Sequence, residues 1–441
     1  MSSPGFELLT SHLDAARGQT DALFSLLDPA ALYDRPVADR HRLIFYLGHV
    51  EAFDWNLLSR HGFQKPSFQP DFDKLFAFGI DPEPGRAPSD QPADWPSEQE
   101  VRAYCSRVRR ELDEALAKSG EDNRDQLLNV AVEHRMMHAE TLAYLFHNLP
   151  YESKHVGPAV ADTANGNSMV ENRMIDIPAG AATLGRSSGN GFGWDNEFER
   201  HSIDVPAFRI SRFKITNGEY LAYLRATGAE PRRNGTATVG ERQHAPHFWT
   251  KRDGRWVLRG MFGEIPLPLD WPVYVTHREA SAYIQWRSAM EYRNFALPTE
   301  AQFHRASEGA APVNANFERW DPVPVDAGTN GAGGESKHGV AQTIGNGWEW
   351  TSTIFAPFPG FEPFPFYPGY SADFFDGKHF VMKGGSPRTA RSLLRPSFRN
   401  WFRADYPYVY AGFRMVENAV EQGEIAVKHA ESVVEDSEVA V

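Results

Sequence analysis

Two histidines four residues apart, His134 and His138, stand in the segment Val130 to Leu145. On an α-helix that spacing stacks the two rings on one face. Leu127, Val130, Ala131, Leu142 and Leu145 fall on the same stripe, so both imidazoles point toward a core. Buried polar rings need partners, and two neighbouring neutral imidazoles suit a divalent metal. His49 follows the same logic within Leu43 to Phe53, on the Tyr46, Val50, Phe53, Leu57 stripe of an earlier helix. Three inward histidines from two helices make a facial metal site with open positions. A histidine on an apolar face also serves as a plain core residue, and spacing does not separate iron from zinc.

The elements that must position these residues are helices. Residues 1–152 read as Phe6–Leu27, Asp39–Arg60, a helix opening at the Ser97/Glu100 capping-box pattern and running to Lys118, and Asp122–Asn148, which stops before Pro150. Four helices, two of them carrying inward ligands, predict a four-helix bundle. The Gly62–Pro96 connection is long and rich in Pro, Asp and Phe, and such a connection in a compact bundle tends to carry function. Residues 153–172 turn polar and small and read as a linker. From 173 to 417 the texture is short apolar pieces broken by Gly, Pro and Asn, dense in Trp, Phe and Tyr, with helices read only at Arg278–Met290 and Glu300–Glu308. The expected fold is multi-domain, an α domain followed by an irregular α+β domain. Residues 418–441 read as an acidic tail; from Glu417 onward there are seven acidic residues against one lysine.

With 441 residues the chain is long enough for two or three domains. Apolar residues make up 41% and aromatics 13%, a globular composition. The formal charge of −13 argues against nucleic acid or an anionic membrane as the main partner. The single cysteine, Cys105, excludes an internal disulfide and points to a cytoplasmic setting. The opening Met-Ser-Ser-Pro-Gly-Phe-Glu has no basic or apolar signal region, and no apolar run reaches the length of a membrane span. Walker-type, dinucleotide-type and Gly-x-Ser-x-Gly motifs are absent.

The second half carries a series of landmarks: Ile177-Pro178-Ala179-Gly180, Phe192-Gly193-Trp194-Asp195-Asn196-Glu197, Thr216-Asn217-Gly218-Glu219-Tyr220, Leu297-Pro298-Thr299-Glu300, Gly345-Asn346-Gly347-Trp348-Glu349-Trp350, Gly384-Gly385-Ser386 and Gly412-Phe413-Arg414. Together they resemble the C-type-lectin-like domain of the formylglycine-generating enzyme and sulfatase-modifying factor family. The helical half resembles the DinB-like metal-binding bundle. Joined in this order, the two resemble the ergothioneine-type sulfoxide synthases, non-haem iron enzymes that use dioxygen to join a sulfur donor to hercynine. Formylglycine chemistry itself is not implied, because it needs paired cysteines and only Cys105 is present.

The resemblance implies an Fe(2+) cofactor on His49, His134 and His138, and hercynine held by Asn400 and Trp401, whose aromatic face suits a trimethylammonium group. The departures concern the donor. Met137 stands where the family has glutamine, the window after Trp401 that supplies the family's aspartate and arginines reads Phe402-Arg403-Ala404-Asp405-Tyr406-Pro407-Tyr408, and an arginine-rich element is reduced to Arg86. A doubly carboxylated thiol needs cationic clamps. Their loss implies a different donor, as in the related selenoneine synthases, which use a selenosugar. The family's active-site tyrosine falls near Phe364 or Phe366, with Tyr370 and Tyr406 as candidate proton donors and Tyr367 as a further replacement. The leading expectation is therefore a carbon–selenium synthase, with carbon–sulfur synthesis from a small thiol, γ-glutamylcysteine or cysteine, as its alternative. A zinc thiol transferase and a betaine-binding protein are the alternatives of other classes.

Overall fold

The computed structural model describes residues 4–80, 88–118, 124–155, 157, 169–228, 245–329 and 334–418. The N-terminal half is built from α1 (Pro4–Phe24), α2 (Leu43–Leu57), α3 (Pro70–Phe78), α4 (Glu98–Lys118) and α5 (Asp125–Asn148). α1 packs on α5, while α2 packs on α3, α4 and α5. The helix α2 is apolar on almost every side and buried along nearly its whole length, which makes it the central element of the bundle. The expected capping box opens α4: the backbone N–H of Ser97 donates to Glu100 Oε2 at 2.9 Å. Leu149 is extended before Pro150 and ends α5. Within the Gly62–Pro96 connection lies α3, a helix that the sequence reading did not anticipate. The local signal for α3 is Pro70 at the first helical position with Asp71 and Asp73 in the first turn.

Two acidic residues of α2 are buried and meet one arginine of α5. Arg135 donates to both Glu51 oxygens at 2.9 Å, to Asp54 Oδ2 through Nε at 3.2 Å and to the Val50 carbonyl at 2.9 Å. All three side chains are at most 1% exposed. Arg135 follows His134 in the chain and all of these partners lie on α2, so this clamp helps set the separation of the two histidine-bearing helices. Arg135→Met leaves Asp54 buried without a cation, while Glu51 keeps Arg109 at 2.6 Å, and is expected to cost about 3–5 kcal/mol of stability. The urea midpoint, read by circular dichroism, checks this.

In the C-terminal half α6 (Asn217–Thr227), α7 (His277–Glu291) and α8 (Glu300–Ala306) each start at a threonine whose hydroxyl accepts from the third helical N–H, closing capping boxes at Thr216/Glu219, Thr276/Glu279 and Thr299/Gln302. The expectation of only two helices here is corrected by α6 and by the short α9 (Gly369–Ala372). One four-stranded sheet has the order β1 (Met174–Ile177), β4 (Phe208–Ser211), β13 (Val416–Asn418), β8 (Phe295–Ala296). A second has the order β11 (Asn400–Arg403), β10 (His379–Lys383), β9 (Trp348–Ile354), β12 (Ala411–Gly412). The hairpin β2 (Gly180–Leu184) with β3 (His201–Val205) and a three-stranded sheet of β5 (Trp249–Arg252), β6 (Arg255–Arg259) and β7 (Glu264–Pro266) complete it. Asn418, at the expected start of the tail, closes β13, and its Oδ1 accepts from Gln302 Nε2 at 2.7 Å. Arg86 and residues 419–441 lie outside the described residues. No helix among the described residues is long and apolar enough to cross a membrane.

The two halves meet along α5. Glu133 accepts from Trp194 Nε1 at 2.8 Å and from Arg395 Nη1 at 2.6 Å. Glu140 accepts from Trp348 Nε1 at 2.7 Å, Ser386 Oγ at 2.6 Å and Thr389 Oγ1 at 2.8 Å. His147 bonds to the Tyr410 hydroxyl and the Arg259 carbonyl. One face of α5 thus grips the second half while His134 and His138 turn into the bundle.

Candidate metal centre and adjoining cavity

The three histidines anticipated from spacing converge. Their ligand atoms lie within 4.8 Å of one another, and Nε2 of His49 is 3.1 Å from Nε2 of His138. That separation matches the edge between two ligands in adjacent positions, each about 2.1 Å from a shared ion. His49 Nδ1 lies 2.7 Å from the Phe76 carbonyl of α3, so Nδ1–H donates and Nε2 keeps its lone pair. The close packing that allows this needs Gly48, where a Cβ would overlap the Phe76 ring. Phe45 stacks on His49 with ring centres 4.8 Å apart, and Phe53 lies flat on His134 at 3.4 Å. The Nδ1 atoms of His134 and His138 are buried and have no hydrogen-bond partner. Three neutral imidazoles with converging ring nitrogens and orphaned buried atoms fit a divalent transition metal.

Burial holds His49 down to about 4 and depresses His134 and His138 well below the ordinary imidazole value. In the unfolded chain these rings titrate near 6.5. Below that pH the unfolded chain binds more protons than the folded one, so the metal-free protein loses stability as the pH falls from about 6.5 toward 4. Between pH 7.5 and 5.0 His49 alone is expected to cost about 2 kcal/mol. The urea midpoint of chelator-treated protein across that range checks the expectation, and a flat profile would refute it.

Beside the cluster a cavity of about 1070 Å³ opens at the junction of the two halves. Met137, next in the chain to His138, forms part of its wall, with Tyr370, Asn400, Trp401, Phe402 and Tyr406. The structure therefore brings the anticipated residues together, Arg86 excepted. Asn400, Trp401 and Phe402 lie on β11, paired with Met382, Val381 and Phe380 of β10. Asn400 Oδ1 accepts from the Trp401 N–H at 2.9 Å, which leaves its Nδ2 donors for a ligand. Trp401 stacks on Phe355 at 4.1 Å and meets Tyr370 edge-on at 5.4 Å. The Tyr370 hydroxyl donates to Met137 Sδ at 3.4 Å, and its ring stacks on Trp194 at 3.9 Å. Burial raises the Tyr370 pKa well above the usual phenol range, so it keeps its proton. Tyr406, stacked on Phe402 at 4.9 Å, accepts from Arg40 Nε at 3.1 Å and approaches the Tyr144 hydroxyl at 3.4 Å. Tyr367 has its ring 6.4 Å from that of His134, and Phe364 packs near Trp194. Sequence reasoning missed Arg40, Glu140 and the Phe76 carbonyl, because each acts through a partner distant in the chain.

A histidine-bearing helical bundle gripped by a sulfatase-modifying-factor-like domain defines a class of metal-dependent enzyme. Residues 160–419 match the sulfatase-modifying factor enzyme 1-like domain, and residues 12–142 match the DinB superfamily. Hercynine oxygenase of Mycolicibacterium smegmatis is 31% identical over 93% of this chain and 98% of its own length. Ergothioneine biosynthesis protein 1 is 27% identical in Neurospora crassa and 28% identical in Schizosaccharomyces pombe, each over 89% of this chain. The chain spans about half the length of those two fungal relatives, 56% and 54%. It belongs to the ergothioneine-type sulfoxide synthase family and is an enzyme. The non-catalytic betaine-binding expectation is thereby set aside.

Proposed function

We propose that this enzyme forms a carbon–sulfur bond between hercynine and a small anionic thiol, with iron(II) as cofactor and dioxygen as oxidant, in the cytoplasm. The observation that carries the reading is the three-histidine cluster one residue away from the wall of a large aromatic cavity. Support comes from the names of the M. smegmatis and fungal relatives. Residues 1–152 would supply the metal ligands and part of the substrate wall, 153–172 the linker and 173–418 the rest of that wall, with 419–441 as tail.

His49, His134 and His138 would hold the metal, which when bound supplies oxygen activation at its open positions. Asn400 Nδ2 hydrogen-bonds hercynine, and Trp401 with its aromatic neighbours attracts the trimethylammonium group, an effect worth about 2 kcal/mol when desolvated. Met137 presents a thioether where a hydrogen-bonding side chain stands in other members, so contact with the substrate ring there is apolar. Tyr370 is the better proton donor of the two candidates: its hydroxyl rests on a weakly accepting sulfur. Tyr406 is engaged by Arg40.

The carbon–selenium reading rests on missing cationic clamps. Arg40, Arg252, Arg259 and Arg403 line the cavity together with Asp39, Glu264, Asp373, Asp376 and Asp405, so the wall as a whole is not cationic; Arg40, outside ion-pair distance of any described carboxylate, is what favours an anionic donor and with it the carbon–sulfur reading. The neutral side chains Met137 and Phe402 are what still favour a selenosugar. Aerobic turnover of the iron-loaded enzyme with hercynine and both donors in competition, read by mass, decides between them. A sulfoxide product is expected. A selenium-bearing imidazole alone would reverse the choice of donor, and equal turnover without oxygen, or with zinc, would favour the thiol-transferase class.

A further inference from the structure

Among the described residues, one cation of the cavity wall is withdrawn from water and held by phenol hydroxyls alone. Arg40 lies in the connection between α1 and α2, half-buried among aromatic side chains. Its Nε donates to the Tyr406 hydroxyl at 3.1 Å and its Nη2 to the Tyr144 hydroxyl at 3.2 Å. Tyr46, whose ring centre is 5.9 Å from that of His138, faces the same guanidinium. No carboxylate of the described residues lies within ion-pair distance of it. Arg135, Arg395, Arg399 and Arg414 each meet a carboxylate. Arg388 is bedded flat on Trp320, 3.6 Å from the ring centre, and does not line the cavity. Of the other arginines on the wall, Arg252 is paired with Glu264 at 2.6 Å, Arg259 donates to the Leu149 carbonyl at 2.7 Å, and Arg403 is exposed to water.

A guanidinium withdrawn from water seeks an anion, and phenol hydroxyls supply dipoles without neutralising charge. Two phenols also fix the fork, so an arriving carboxylate meets an oriented pair of N–H donors at little entropic cost. We propose that Arg40, oriented by Tyr144 and Tyr406, anchors a carboxylate of the sulfur donor and so selects anionic thiols over neutral ones. The assignment rests on the donor chemistry proposed above and adds the residue that discriminates. It places the donor's charged end beside Tyr144 and Tyr406.

The test is calorimetric binding to the full-length, metal-loaded protein of two thiols of similar size, 3-mercaptopropionate and 2-mercaptoethanol. The wild type is expected to bind the carboxylate-bearing thiol about tenfold or more tightly. Arg40→Met is expected to abolish that preference with metal content unchanged, and Arg40→Lys to restore part of it. In turnover, the KM for γ-glutamylcysteine should rise while kcat and the KM for hercynine hold. A wild type without preference, a preference that survives in Arg40→Met, a loss falling equally on both thiols, or a rise in the hercynine KM instead would each overturn the assignment. The binding arm is independent of the reaction. Arg40-dependent preference in a protein that makes no product from hercynine would sink the reading of the reaction and leave the anion site standing.

Discussion

His138→Ala is expected to abolish turnover and lower metal affinity by at least about a hundredfold. Loss of groups that merely orient ligands typically costs about 10–100-fold, and His138 is a candidate ligand itself, with Nε2 3.1 Å from that of His49. The variant should fold, because the imidazole is neutral in the native state and its removal leaves no unpaired charge. The cavity left by the ring is bordered by Tyr46, whose ring centre lies 5.9 Å away. Metal content by elemental analysis after dialysis, with circular dichroism as the folding control, gives the result. A variant that retains stoichiometric metal and activity would refute the three-histidine site. His134→Ala should behave alike, with a larger loss of stability, since that ring is only 4% exposed and is sandwiched against Phe53.

Tyr370→Phe is expected to lower the rate of product formation by about 10²–10⁴, the usual contribution of a positioned general acid, with hercynine affinity nearly unchanged. The hydroxyl is removed while the ring keeps its stack on Trp194 and its edge contact with Trp401. The weak bond to Met137 is the only hydrogen bond the hydroxyl makes among the described residues, so its loss costs little stability. Tyr367, whose ring approaches His134 but which does not line the cavity, is the internal comparison, and Tyr367→Phe should cost much less. Single-turnover rates against hercynine affinity separate the two effects. An unaltered rate in Tyr370→Phe would assign the proton elsewhere.

Much of this could be read from one-dimensional pattern. The histidine pair, the stripe that turns it inward, the capping box of α4 and the stop before Pro150 are local, because helical period and end chemistry act within a few residues. The landmark motifs carried the fold of the second half and the β11 residues Asn400 and Trp401. α3 and α6 were legible in principle, through Pro70 and the Thr216/Glu219 box, but both are short, and α6 is weakly periodic.

What only the tertiary structure decided is partnership. Periodicity says which way a side chain faces and nothing of what it meets. The Phe76 carbonyl that orients His49, the Glu140 that fastens α5 to three residues of the second half, and the Arg40–Tyr406 contact spanning 366 positions are all of this kind. The reading of the donor turned on the same point. Judged from motif positions alone the cationic clamps are missing, yet folding brings Arg40 from the α1–α2 connection to the cavity wall, outside ion-pair distance of any described carboxylate. Charge acts through space and is indifferent to sequence order. The types of chemistry were therefore written in the sequence, and the choice of substrate was left to the packing of one half against the other.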